Sequence, residues 1–334
     1  MLEIIATIDI GATKITASLC NRDGIIIRIY QRTRLTGDKR TIPDQVKELV
    51  DTCFIKAGLG KDQLTAVGIS TAGPFQRIDG KLHLVSPNIC GGMTRERGLL
   101  PNDWRSVPLE KELSTHFRNL AIENDAVSGA VAERMFGTGK GCDNLLYVTW
   151  STGIGTGAFV DGRLIKGKNG NAPHGGHVYL GDEGPVCGCG NICDLESIAS
   201  GTAIARAFSD DASTADVFKA YHEGDGRAID LIDSTARHFA KGLASINCIL
   251  DTERIVIGGS VFMNNRDLLL PKIKEEFYRS FPVLSRGVEI LPTELGEYLG
   301  DLAAFSIIVP DEWIEEWKRN RPWMRAPDTI DLDL

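Results

Sequence analysis

Residues 2–8 form a short run rich in β-branched side chains and predict a buried strand. A glycine turn follows, Asp9-Ile10-Gly11-Ala12-Thr13-Lys14, and then residues 15–20 and 25–30, on either side of Asn21-Arg22-Asp23-Gly24, predict a hairpin. The same order returns later in the chain. Residues 145–150 predict a strand, Ser151-Thr152-Gly153-Ile154-Gly155-Thr156-Gly157 a glycine turn and 158–160 a second strand, and Asp161-Gly162 is a hairpin turn before 163–166. Two copies of one strand, glycine turn and strand unit predict a duplicated α/β protein of two lobes, with a site between them.

Between the copies, Val46, Leu49, Val50, Cys53, Phe54 and Ala57 recur at helical spacing behind Pro43, which predicts a helix over 44–59. Residues 64–70 predict a strand ending in Thr71-Ala72-Gly73-Pro74, and 79–104 read as loop. A helix over 109–118 leads to a strand at 120–123, then Asn124-Asp125 and a small-residue helix over 126–136. Beyond the second copy, 195–208, 213–221 and 227–250 predict helices, 254–257 a strand closed by Gly258-Gly259-Ser260, and 298–304 the start of a last helix. These elements suggest a small lobe over 1–123, completed by the helix from about 301, a large lobe over 124–300, and an extension over 309–334. In that extension Trp313 and Trp317 share one helical face and, with Trp323, predict packing onto the body or a second subunit.

At 334 residues the chain is long enough for about two domains. Its formal net charge of −8 and pI near 5.4 disfavour a polyanionic partner, whether nucleic acid or an acidic membrane surface. No apolar run near the start is long enough for a span or a secretory leader, so scattered Cys20, Cys53, Cys90, Cys142 and Cys248 read as reduced thiols of a cytoplasmic protein.

The stretch over 174–196 is chemically dense: His174-Gly175-Gly176-His177, then Cys187-Gly188-Cys189-Gly190-Asn191-Ile192-Cys193, closing on Asp194-Leu195-Glu196. Three thiols and an imidazole in one short segment suit a tetrahedral zinc, with His177, Cys187, Cys189 and Cys193 as the set. No position remains for a zinc-bound water, so the ion expected is structural. Elsewhere, Asp9, Gly11, Thr13 and Lys14 offer a carboxylate, bare backbone, a hydroxyl and a cation, which suit phosphate and magnesium. Thr152, Gly153, Gly155 and Gly157 repeat that offer, and Gly258-Gly259 would let the rest of a nucleotide approach closely. Asp125 stands where a strand gives way to a helix. A carboxylate there can take a proton from an alcohol, although on this pair alone a helix cap is the simpler reading.

Together these residues resemble the ROK family of sugar kinases and repressors, a branch of the actin/hexokinase (ribonuclease H-like) fold, from Asp9 to about Ala304. The most specific part is Gly176-His177 followed by Cys187-x-Cys189-Gly190 and Glu196. The resemblance implies ATP-dependent phosphorylation of a hexose at its 6-hydroxyl, or of N-acetylmannosamine or another hexosamine, in a cleft between lobes. It implies that 9–14 and 151–157 bind the phosphates of magnesium ATP, that Asp125 is the catalytic base, and that Gly73, Asn88, Asn124, His177 and Glu196 hold the sugar. His177 would share its other ring nitrogen with zinc.

Two positions depart from the family pattern. The third family cysteine falls where this chain has Asp194, so either Cys193 reaches the metal or Asp194 ligates through oxygen. His174 replaces a sugar-binding glutamate. A sugar-responsive repressor is disfavoured by the acidic charge and by the few residues before Asp9, and a homo-oligomer, dimer or tetramer, is expected.

Overall fold

The structure, a computed structural model, describes residues 3–93 and 100–334. Leu2 of the expected first strand and 94–99 of the expected loop lie outside the described residues. In chain order the elements are β1 Ile4–Ile10, β2 Lys14–Asn21, β3 Gly24–Arg32, α1 Thr41–Ala57, β4 Leu64–Thr71, β5 Phe75–Ile78, β6 Lys81–Leu84, α2 Leu109–Ser114, β7 Leu120–Asn124, α3 Asp125–Phe136, β8 Leu145–Trp150, β9 Ile154–Val160 and β10 Arg163–Leu164. Then come α4 Leu195–Ala199, α5 Gly201–Phe208, α6 Thr214–His222, α7 Gly226–Leu250, β11 Arg254–Gly258, α8 Ser260–Asn264, α9 Arg266–Arg279, α10 Pro282–Ser285, β12 Glu289–Pro292, α11 Leu299–Ser306, α12 Asp311–Asn320 and β13 Ile330–Asp331.

The chain divides into two compact units. The first comprises Met1–Gly137, Lys166–Ala172 and Leu295–Leu334, and the second Thr138–Ile165 and Pro173–Glu294. The boundary expected at 123/124 falls within β7, before its last residue Asn124, and inside the first unit, so the helix that starts at Asp125 stays with the strand before it.

The first unit's sheet has the order β13-β3-β2-β1-β4-β7. Strands β3, β2 and β1 are antiparallel neighbours, β4 and β7 run parallel to β1, and the short β13 runs parallel to β3 at the edge. Strand β1 is apolar almost throughout because both faces are covered. Ile4, Ala6, Ile8 and Ile10 join a core with α1 and α2, while Ile5 joins another with Phe136 of α3, Leu302 and Phe305 of α11, and the tryptophans of the extension. The second unit repeats this plan. Its sheet order is β10-β9-β8-β11-β12, again antiparallel for the first three strands and parallel for the last two, packed against α7 and α9. Apart from the added β13, the two sheets share one order, which is the duplication read from the glycine turns.

The extension belongs to the body of the first unit. Trp313, Trp317 and Trp323 are 3%, 0% and 1% exposed, and Trp317 stacks on Phe305 with ring centroids 3.9 Å apart. Among the described residues no helix is long and apolar enough to cross a membrane.

Candidate active site

In the first unit, Asp9 and Asp125 come from the carboxyl ends of parallel strands. Asp9 lies near the end of β1, Asp125 follows β7, and β4 runs between them. Ligand sites in α/β sheets gather at such ends, where loops diverge. Asn124 caps α3, its Oδ1 accepting from the N–H groups of Ala126 and Val127. Capping therefore falls to Asn124, and exposed Asp125 is the first helical residue. With Oδ1 spent on the backbone, Asn124 has its amide donors to offer a ligand.

Burial pushes the Asp9 carboxyl up to about 7, with the charges of Asp125 and Asp301 adding to the rise, while Lys14 and a hydrogen bond from Ser70 pull the other way. Gly300, in the first turn of α11, lies against this carboxyl: a Cβ there would stand 3.1 Å from Oδ2. The turn itself is closed by the Gly11 N–H donating to the Lys14 carbonyl at 3.0 Å and by Thr33 Oγ1 donating to the Gly11 carbonyl at 2.7 Å. Thr13 and Lys14 are exposed at its tip. Gly73 follows β4, and Asn88 is exposed in the turn after Ser86-Pro87.

Sequence reasoning missed Asp301. Its carboxylate is buried, accepts from Ser18 Oγ at 2.5 Å and pairs with Arg28 Nη2 at 2.9 Å. The signal was Arg28, a charge inside the run Ile25-Ile26-Ile27-Arg28-Ile29 that a buried strand tolerates only with a partner.

In the second unit, Ser151-Thr152-Gly153 follows β8, and Gly258 ends the neighbouring parallel strand β11, with Gly259-Ser260 after it. The two turns meet, with the Ser260 N–H donating to Ser151 Oγ at 2.9 Å. Gly259 has φ +89° and lies directly on the Trp150 backbone, so a side chain has neither the conformation nor the room. Beside these turns is a cavity of about 690 Å³ lined by Thr152, Arg206, Asp210, Thr214, Ser260 and Asn264 among others.

Glu196, in α4, accepts from the Ile154 N–H at 2.8 Å through Oε2, and the Cys187 thiol points to its Oε1 at 3.6 Å. Strand β9 begins at Ile154, so Gly155 and Gly157 of the expected turn lie in the strand, and this one carboxylate joins the turn at Gly153 and the start of β9 to the cysteine loop.

In that loop His177, Cys187, Cys189 and Asp194 bring their ligand atoms within 4.8 Å of one another. His177 Nδ1 is 3.0 Å from Asp194 Oδ2 and 3.8 Å from Cys187 Sγ, and Cys189 Sγ is 3.5 Å from Asp194 Oδ2. The donor types suit zinc, and their separations come near the roughly 3.3 to 3.8 Å between ligands at a tetrahedral ion. Cys193 is outside this group. Its backbone is left-handed (φ +59°), and its Sγ packs against Gly184, where an added Cβ would meet it at 2.9 Å. Of the two alternatives for the last ligand, the one gathered with the others is Asp194. Burial opposes ionisation of Asp194, yet hydrogen bonds from His177 and Ser197 bring its carboxyl down to about 2. His174 is exposed, its ring edge-on to His177 at a centroid distance of 5.7 Å.

A sequence model of the ROK family matches residues 5–308. This chain belongs to the ROK family. A glucokinase of Aeropyrum pernix is 32% identical over 92% of this chain and 97% of its own length. An N-acetylmannosamine kinase of Salmonella typhi is 33% identical over 76% of this chain and 82% of its own. The structure of a ROK glucokinase from Streptomyces griseus in complex with glucose and AMPPNP covers 90% of this chain and 97% of its own, at 25% identity and a TM-score of 0.68. The family match ends before the tryptophan-rich extension begins.

Proposed function

We propose that this chain is an ATP-dependent hexose kinase acting on the 6-hydroxyl of glucose or a close relative. The observation that carries the reading is the pair Asp9 and Asp125 at the carboxyl ends of β1 and β7, in a chain related to glucokinases along nearly its whole length.

Asp125 is the base: its carboxylate takes the proton of the 6-hydroxyl as that oxygen attacks the γ-phosphorus of ATP and ADP departs, a contribution of roughly 10²–10⁴-fold. Asp9 supplies the carboxylate that would hold magnesium through water, which neutralises charge on the transferring phosphoryl group. Gly11, Thr13 and Lys14 in the first unit, and Thr152, Gly153 and Gly155 in the second, offer donors to the phosphates. The cavity beside Thr152 and Ser260, next to Gly258 and Gly259, suits the nucleoside. For the sugar we assign Gly73, Asn88, Asn124, His174, His177 and Glu196.

His177, Cys187, Cys189 and Asp194 would hold a structural zinc, which would fix the loop and the His177 tautomer. With Nδ1 turned into that group, Nε2 is the nitrogen left to donate to a sugar hydroxyl. The reading includes action in the cytoplasm, where thiols stay reduced, and association into a dimer or tetramer, which light scattering would measure.

The N-acetylmannosamine kinase relative favours a hexosamine as the second reading. ADP release measured across glucose, mannose, fructose, N-acetylglucosamine and N-acetylmannosamine separates the two. In the same assay Asp125→Asn should lose turnover by at least roughly 10²-fold with sugar affinity nearly intact. No ADP release with any of these sugars removes the proposal, and a mild loss in Asp125→Asn removes the base.

A further inference from the structure

The last residues of the chain return to the phosphate turn. Strand β13 pairs in parallel with β3, Asp331 standing beside Tyr30, and the Leu332 N–H donates to the Tyr30 carbonyl at 3.0 Å. One residue on, the Arg32 N–H donates to Asp333 Oδ2 at 2.7 Å, and the Asp333 N–H donates to Asp331 Oδ1 at 2.9 Å. The tail is thus tied by its backbone and by two carboxylates. From this frame Asp331 Oδ2 accepts the Tyr30 hydroxyl at 2.5 Å, which fixes the phenol ring on β3. Over that ring, 5.0 Å from its centroid, stands Lys14 Nζ. Lys14 opens β2 opposite Arg32 and is the only charged side chain of the turn that begins at Gly11.

A lysine has a long, flexible stem, and ordering it on a phosphate costs rotamer entropy. A ring face that attracts the ammonium restricts the stem beforehand, the more effectively if the ring is itself fixed. We propose that Tyr30, fixed by Asp331 of the C-terminal tail, is a positioning residue for Lys14, holding its ammonium ready for the phosphates of ATP. This rests on the reading of residues 9–14 as a phosphate grip. The bland alternative is a tail that only covers a sheet edge, which predicts altered stability and no specific effect on ATP.

The test is steady-state kinetics on the full chain with sugar saturating and magnesium ATP varied. Tyr30→Leu is expected to raise KM for ATP roughly two- to fivefold with kcat little changed, the size of an exposed cation–π contact. Lys14→Ala should raise it further, and Lys14→Ala with Tyr30→Leu should match Lys14→Ala alone, because Tyr30 acts through Lys14. Asp331→Asn, which leaves the ring in place, should give a smaller rise than Tyr30→Leu, and it carries the test if Tyr30→Leu does not fold. Unchanged KM in Lys14→Ala removes the phosphate grip and this inference with it. A raised KM in Lys14→Ala, with none in either Tyr30→Leu or Asp331→Asn, overturns the inference alone. So does a Tyr30→Leu effect that persists in full without Lys14.

Discussion

Asp9→Asn should make the nucleotide-free protein more stable above neutral pH while abolishing turnover. The Asp9 carboxyl titrates at about 7 instead of its ordinary value, first because it is buried and then because Asp125 and Asp301 are near. The folded chain therefore keeps a proton that the unfolded chain has given up. The stability this contributes is complete below about pH 4 and is lost as pH rises through about 7, so alkaline solution works against the fold at this site. An interval of about three pH units corresponds to a ceiling of about 4 kcal/mol; Asp9 is half-buried and not sealed from water, and solvent screening lowers this to about 2 kcal/mol. Asparagine has no charge to bury. In a unit of this size 1 kcal/mol moves Tm by about 2–4 °C, so Asp9→Asn should melt about 4–8 °C above the wild type at pH 8.5 and only about 2–4 °C above it at pH 5.5, midway through the titration window. Thermal unfolding at both pH values, without nucleotide, reads this directly. An Asp9→Asn melting curve that falls between those pH values as steeply as the wild type would refute the reasoning, whatever happens to turnover. A variant at once more stable and inactive is what a site under functional strain should yield.

Cys189→Ser should release zinc, read by metal analysis, and raise KM for sugar, whereas Cys193→Ser should keep the metal because its thiol faces Gly184; the opposite pattern would exchange the two ligands. His174→Glu should reorder the preference among hexoses in the ADP assay, and an unchanged order would take that position away from the sugar. Trp317→Ala removes a fully buried ring stacked on Phe305, so a loss of about 3–5 kcal/mol and a Tm lower by about 10 °C are expected by calorimetry; a fall under about 2 °C would mean that α12 contributes little to the first unit.

The duplicated strands were legible because both glycine turns and both hairpin turns are local signals, and the alternation around them leaves one register. The helix after Asn124 was legible too, although which of Asn124 and Asp125 caps it was decided by backbone geometry. What escaped reading depended on distant partners. Helix α9 carries Pro271 inside it, a residue that argues against helix, yet Leu269, Ile273 and Phe277 are buried against the second unit's core. The helix expected over 195–208 breaks at Ser200, whose Oγ caps α5 by accepting from the Ala203 N–H. Strand β6 lies inside a stretch that reads as loop, held to β5 by pairing that no short window reveals. That Asp194, and not Cys193, gathers with His177, Cys187 and Cys189 goes with a left-handed residue in a loop, which composition does not announce.

Strand β3 would be the outer strand of its sheet but for two residues, Ile330 and Asp331. Clipping the chain after the tryptophans would uncover the Tyr30 carbonyl and the Arg32 N–H, both of which now bond to the tail. An open strand edge of this kind can pair with its own copy in a neighbouring molecule. Preparations exposed to carboxypeptidase or nicked near the terminus should therefore turn cloudy on storage long before the tryptophan core gives way.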